Sequence, residues 1–412
     1  MTPLSPYHRR LFAFLSVASF FEGFDFMALG QLLPEVRAEM GLSVAHGGLL
    51  IGLINVGMIL SYFLIRYADV WGRRRVMALT IFGYTLTSIL TGLAPNVFLF
   101  CAAQLLARMF QMTELAVAMV YAAEEYPAER RGTVIGVIQA CAGVGAVVCA
   151  AVVPALVHTR LGWRSVYFVG GVPLLLVAFL RRNLAETSRF AAILKERQAR
   201  GERPSLLPVT HLLDSQYRKR LLQLACIWGL TFFCTQSAFL FWKEFALAER
   251  GLTVPQVGLS TTIAAALSMP LVFFAGKLLD RVGRRTGAAL IFTLAAAGVY
   301  AAYSLHSRWA LTAGLTLGIL GTMATLPVLH AFTTELFPTA IRSDAYGWAN
   351  NLLGRMAAVA SPFVVGQLAE RLGWGTAVSL TAISLLLALV LILVALPETS
   401  GRSLEETETI AR

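Results

Sequence analysis

The sequence predicts an all-α membrane protein of twelve transmembrane helices in two pseudo-symmetric six-helix bundles. Three observations lead there. The chain has 412 residues, of which 57% are hydrophobic and only 14% charged, with a mean hydropathy of +0.69; soluble domains carry roughly 25% charged residues. Charged landmarks then return after a fixed shift. Asp69 in ADVWGRRR matches Asp280 in LLDRVGRR, and Glu124 and Pro127 in EEYPAERR match Glu335 and Pro338 in ELFPTAIR, each 211 residues on. Glu186 in AETSR matches Glu398 in PETSG after 212. The shift is about half the chain, so a duplication fills it, and internal repeats outrank other signals for fold. Finally, the polar residues gather in short loops between apolar runs of about 20 residues, the length that crosses a ~30 Å hydrocarbon core.

The spans run near 11–33, 46–67, 76–94, 97–123, 133–157 and 165–182, then near 219–246, 256–278, 287–304, 308–334, 344–369 and 374–396. The first bundle is residues 1–182, the second 219–412 with a short tail. Between them, 183–218 is the only long polar stretch; it reads as a cytoplasmic linker with room for a short amphipathic helix around Phe190–Lys195. The opening MTPLSPYHRR leads into an apolar run long enough to span, so the first span is a membrane helix and not a cleaved signal. Lys and Arg number 25 on the side that holds both termini, six on the other and three within spans. The positive-inside rule therefore places both termini in the cytoplasm. It also accounts for the net charge of +11 without nucleic-acid binding. The five cysteines lie in apolar segments without metal-ligand spacing, so no metal site is expected.

Softer features follow in chain order. Phe20, Phe21, Phe24 and Phe26 enrich the first span in aromatics, as Trp228, Phe232, Phe233 and Phe239 do the seventh. Gly136, Gly143 and Gly145 in the fifth allow close helix contact. Pro154, Pro173, Pro270, Pro327 and Pro362 lie inside spans, where neighbouring groups can satisfy the freed backbone. Lys243, near the outer end of the seventh, is expected to snorkel towards water. His330 in the tenth reads as a packed residue. There is no G-x-S-x-G, no H-E-x-x-H and no phosphate-binding glycine loop, so no enzyme is expected.

The charges deep inside spans are the informative residues. Glu22 and Asp25 sit three apart near the middle of the first span and share a face. In the fourth, Gln104, Arg108, Gln111 and Glu114 fall within one arc of about 120°. In the eleventh, Asn351 and Arg355 are four apart. Each buried charge costs ~2.5–3.5 kcal/mol on insertion scales, so the five would cost on the order of 12–18 kcal/mol unpaired. They must line a wet cavity, pair with one another (Arg108 with Asp25 or Glu22), or do both.

At its loop motifs the chain resembles the major facilitator superfamily. That family carries G-x-x-x-D-x-x-G-R-R after its second helix and again in its second half. Gly276, Asp280, Gly283, Arg284 and Arg285 fit fully; the first copy has Asp69, Gly72, Arg73 and Arg74, with Ile65 in the glycine position. The tail PETSGRSLEE resembles the sugar-porter subgroup, as does NLAETSR, with Ala185 in place of a proline. The E-G-F-D run of Glu22–Asp25 resembles the D-G-x-D run of the aromatic-acid/proton symporters. The resemblance implies gating residues at the cytoplasmic loops. Asp69 and Asp280 would cap helix N-termini of the opposite half, Arg73 and Arg74 would pair with Glu124 or Glu125, and Arg284, Arg285 and Glu335 would repeat the set.

The resulting expectation is a secondary transporter that takes up a small organic anion with protons. Arg108 and Arg355 suit a carboxylate, because the guanidinium fork matches it. Asp25 with Glu22, and Glu114, are the proton carriers. Gln111, Gln139, Gln236, Asn351 and Trp348 complete the substrate set. No cofactor is expected beyond the proton gradient. The partners are the anionic solute, protons and the bilayer, with the chain acting as a monomer in a bacterial inner membrane. Other readings remain at this point: a sugar or polyol porter, proton-driven efflux of amphipathic compounds, or a receptor that binds a solute without moving it.

Overall fold

The computed structural model describes residues 6–126, 128–181, 186, 217–337 and 341–399. The expected amphipathic helix at 190–195, almost all of the linker and the end of the tail lie outside them. The described chain is helical almost throughout. The first repeat supplies α1 (Pro6–Met40), α2 (Val44–Trp71), α3 (Arg73–Gly92), α4 (Val97–Glu125), α5 (Ala128–Val157) and α6 (Arg164–Arg181). The second supplies α7 (Arg218–Leu240), the short α8 (Trp242–Ala248), α9 (Val254–Val282), α10 (Arg284–Ser304) and α11 (Arg308–Glu335). It ends with α12 (Arg342–Tyr346), a π-helical turn (Gly347–Gly354), α13 (Arg355–Leu372) and α14 (Trp374–Ala395). Each expected span falls mostly on helix, and the seventh, 219–246, is divided at Phe241 between α7 and α8. Among the described residues nine helical segments are long and apolar enough to cross a membrane, and Arg164–Phe179 in α6 is a shorter apolar stretch.

Local sequence sets the helix ends. Asn96 Oδ1 accepts from Leu99 N at 2.9 Å to start α4, and Ser307 Oγ accepts from Ala310 N at 3.3 Å to start α11. Thr253 and Gln256 form a capping box before α9. Each satisfies backbone N–H groups that a helix start leaves bare.

Two compact units result. One comprises 1–32 and 53–207, the other 33–52 and 208–412. The outer ends of α1 and α2 therefore group with the second repeat. In the first unit α3 packs on α4 and α6; the second unit repeats this with α10 on α11 and α14. Glycines permit the tightest crossing, α1 on α5. A Cβ on Gly23 would lie 1.8 Å from the Ala142 carbonyl oxygen, and one on Gly145 would lie 1.8 Å from that of Phe20. Gly145 thus does what small residues do at membrane helix contacts. Gly136 does not: nothing lies within 4 Å of its Cβ position.

The repeat is visible at single hydrogen bonds. Arg73 Nη1 donates to the Ala68 carbonyl at 3.0 Å, and Arg284 Nη1 to the Leu279 carbonyl at 3.2 Å. Arg73 meets Glu124 at 3.2 Å; Arg284 meets Glu335 at 3.0 Å. Glu186 accepts from the N–H groups of Arg73 (3.0 Å) and Arg74 (3.3 Å). Glu398 accepts from those of Arg284 (2.8 Å) and Arg285 (2.9 Å). Carboxylates are favoured there by the exposed amides and the helix dipole. The acids at the starts of α3 and α10 are therefore Glu186 and Glu398; the expectation that Asp69 and Asp280 cap helices of the opposite half falls on side chains outside the described residues.

Gly72 and Gly283 precede these helices at φ 99°, ψ 150° and φ 90°, ψ 163°. Only glycine adopts that region without strain, and strain there costs ~1–3 kcal/mol. Gly283→Ala is expected to lower stability by about that amount, read as a lower melting temperature of the purified protein; unchanged melting would contradict the assignment.

Candidate functional site

The charges of the first unit are arranged around α1. Glu22 and Asp25 are both buried. Asp25 Oδ2 accepts hydrogen bonds from Tyr84 Oη at 2.5 Å and Ser88 Oγ at 3.0 Å, both from α3. Its Oδ1 lies against Gly170 of α6, where a Cβ would come within 2.3 Å. The carboxylate thus occupies a slot made by two hydroxyls and a missing side chain. Tyr84 Oη is also held 3.2 Å from the Phe21 carbonyl. Among the described residues, Asp25 takes its hydrogen bonds from these hydroxyls and not from an arginine; a static Asp25–Arg108 pair is not what is found.

Arg108 is 3% exposed. Its Cζ lies 4.7 Å from the centre of the Phe26 ring, and Nη1 donates to Gln111 Oε1 at 3.2 Å. Gln111 in turn donates to the Glu22 carbonyl at 2.7 Å. Arg108 and Gln111 thus face α1. Gln104 and Glu114, expected on the same arc, instead meet α3: Gln104 donates to Thr91 Oγ1 at 3.1 Å, and Thr80 donates to Glu114 at 2.5 Å. Gln139 on α5 is exposed.

In the second unit Arg355 follows the π-helical turn directly. Its Cζ lies 4.9 Å from the centre of the Phe232 ring. The turn carries Trp348, Asn350 and Asn351; Asn350 donates to Tyr346 Oη at 2.6 Å. Gln236 is half-buried on α7. π-turns inside helices are frequent at functional sites, yet nothing in GWANNLLG signals one, since the wider turn depends on what packs around it.

Two contacts among the expected gating residues pair members of one unit: Arg73–Glu124 in the first and Arg284–Glu335 in the second. Arg74 is exposed. Glu125 accepts at its backbone carbonyl from the His8 ring at 3.2 Å, and Arg285 donates to the Leu393 carbonyl.

Sequence reasoning missed an ion-pair cluster in the second unit. Lys243 Nζ lies 2.5 Å from Glu35, and Arg37 Nη1 lies 2.7 Å from Glu244. Lys243 does not snorkel; its side chain is 1% exposed. The expected seventh span, 219–246, breaks at Phe241, and α8 turns Lys243 and Glu244 towards the end of α1. The available signal was opposite charge order, Glu-x-Arg against Lys-Glu.

Comparison with known proteins settles the family. A family model described as Major Facilitator Superfamily matches residues 15–246 and 225–411, and the chain belongs to that superfamily. It is accordingly an integral multi-pass transporter and not an enzyme. It is 29% identical, over 93% of this chain and 89% of the relative, to a protein from Cupriavidus pinatubonensis named as a probable 4-methylmuconolactone transporter. It is 26% identical (94% and 92%) to the 4-hydroxybenzoate transporter of Pseudomonas aeruginosa, and 25% identical (98% and 97%) to the niacin transporter of Acinetobacter baylyi. Among solved structures, the E. coli xylose transporter in an inward-open conformation matches with a TM-score of 0.77 at 18% identity, over 97% and 99% of the two chains. A bacterial homologue of the lysosomal transporter Spinster reaches 0.79 at 14%, over 100% and 99%. At those identities the likeness concerns the fold.

Breaking one partner of a buried ion pair strands the other charge and costs about 3 kcal/mol or more. Glu35→Gln is therefore expected to destabilise the protein by about 3 kcal/mol, since Lys243 has little water to turn to. The exchange Glu35→Lys with Lys243→Glu is expected to restore most of it. Chemical or thermal unfolding in detergent reads both; equal loss in the single and the exchanged variant would overturn the pairing.

Proposed function

We propose that this transporter takes up a small organic anion, a carboxylate, together with protons by alternating access. It would act in a bacterial cytoplasmic membrane with both termini inside, driven by the proton gradient and without a bound cofactor. The relatives named for 4-hydroxybenzoate, niacin, gallate and cis,cis-muconate support an organic acid as the cargo. The observation that carries the coupling is the Asp25 slot. A carboxylate sealed in an apolar bundle on two hydroxyls has no structural partner of opposite sign among its hydrogen bonds, and intramembrane carboxylates of this kind mark proton paths.

In this reading Asp25 takes a proton from the outer side and gives it up inside. Its affinity for that proton follows how closely a guanidinium approaches. Glu22, one turn away, is the second carrier; Glu114, bonded to Thr80, is the third. Arg108 and Arg355 are the carboxylate anchors of their units, and Gln111, Gln139, Gln236, Asn351 and Trp348 are polar and aromatic contributors. Asp69, Arg73, Arg74, Glu124 and Glu125 with Asp280, Arg284, Arg285 and Glu335 are proposed to steady the cytoplasmic ends through the cycle.

Asp25→Asn in proteoliposomes is expected to abolish accumulation driven by a pH gradient while leaving solute counterflow intact. Undiminished pH-driven accumulation would sink the coupling. Arg355→Ala is expected to weaken uptake ten- to a hundredfold, the equivalent of the ~1.5–3 kcal/mol carried by a charge-assisted hydrogen bond; concentration-dependent counterflow measures it.

A further inference from the structure

The second unit carries a cluster of rings that the transport reading has not used. His330 on α11 stacks on Tyr346 at 5.4 Å with a 14° tilt, and meets Trp228 of α7 edge-on at 5.5 Å. Tyr346 is also edge-on to Trp228, at 6.2 Å. Trp228 is buried and fixed, its indole N–H donating to Thr333 Oγ1 at 3.0 Å; its ring continues to Phe232 at 5.3 Å, and Phe232 lies under Arg355. Aromatic side chains thus run without a break from the imidazole to a guanidinium.

His330 is itself exposed. It belongs to the inward side of α11, because Thr333 lies three residues on, on the same helix face, and binds Trp228. One imidazole face rests on Tyr346; the opposite face is open. The π-helical turn beside it holds two buried polar atoms without hydrogen-bond partners among the described residues, Asn350 Oδ1 and Trp348 Nε1. Asn350 is 5% exposed, and its amide nitrogen is spent on Tyr346. A buried acceptor left bare is costly, so a bound donor is the natural complement.

We propose that this cluster is a ring subsite: a flat aromatic carboxylate lies against the open face of His330, its carboxylate is taken by Arg355, and a ring hydroxyl or ring N–H donates to Asn350 Oδ1. This rests on the organic-anion reading and narrows it to acids with an aromatic ring. The rigid frame of Trp228 and Tyr346 holds the imidazole at a fixed tilt. A planar ring then gains stacking that a saturated ring of the same size does not.

The test is calorimetric binding to the purified full-length protein of benzoate and its 3- and 4-hydroxy derivatives, each beside its cyclohexane analogue. The wild type is expected to prefer the aromatic acid about tenfold, as a stacking contact of about 1–1.5 kcal/mol implies. His330→Ala is expected to erase that preference while leaving affinity for the saturated acids unchanged, and His330→Phe to keep it. Asn350→Leu is expected to weaken the hydroxybenzoates but not benzoate. Equal affinity for aromatic and saturated acids in the wild type would overturn the ring subsite and leave the organic-anion reading standing; binding of none of the acids would overturn both. A preference that survives His330→Ala at an unchanged melting temperature would remove His330 from the site.

Discussion

An ionised group inside a hydrocarbon slab has to be answered by other protein groups, and this requirement organises the molecule. Three of the deep charges show how. Asp25 is met by Tyr84 and Ser88 and given room by Gly170. Arg108 is laid over Phe26 and bonded to Gln111, and Arg355 is laid over Phe232. Hydroxyls meet the acid, and ring faces lie under the two guanidinium groups.

The starts of α3 and α10 solve a different problem. There the chain must turn tightly between helices, and it does so twice with the same parts. A glycine in a conformation closed to other residues, a carboxylate over the new helix start and an Arg–Glu pair recur at matching positions in both repeats. Each of these Arg–Glu pairs holds two helices of one unit together. Among the described residues the Glu35–Lys243 and Arg37–Glu244 pairs have no counterpart in the first repeat; they arise where α8 departs from α7 and meets the end of α1. Duplication thus explains the sets at α3 and α10 and not the cluster at α8.

Much of this was legible beforehand. The positions of the spans, the matching of Asp69, Glu124 and Glu186 with their copies and the depth of Glu22, Asp25, Arg108 and Arg355 follow from spacing alone. The pairing of Arg73 with Glu124 was readable from the loop motif. Illegible were the split of the α4 polar arc, in which Gln111 faces α1 while Gln104 and Glu114 bond to α3, and the burial of Lys243. Periodicity places a side chain on a face but does not say which neighbour covers that face.

The sequence by itself determined a doubled bundle of membrane helices with charges at mid-depth, because apolar length, repeat spacing and arginine placement are properties of the chain and need no neighbours. The tertiary structure alone decided what each charge touches: which helix brings Tyr84 to Asp25, that a π-turn precedes Arg355, and that His330, Tyr346 and Trp228 share one cluster. Those are contacts between residues 16 to 118 positions apart, and only the packing of whole helices selects among the partners that a given face could meet.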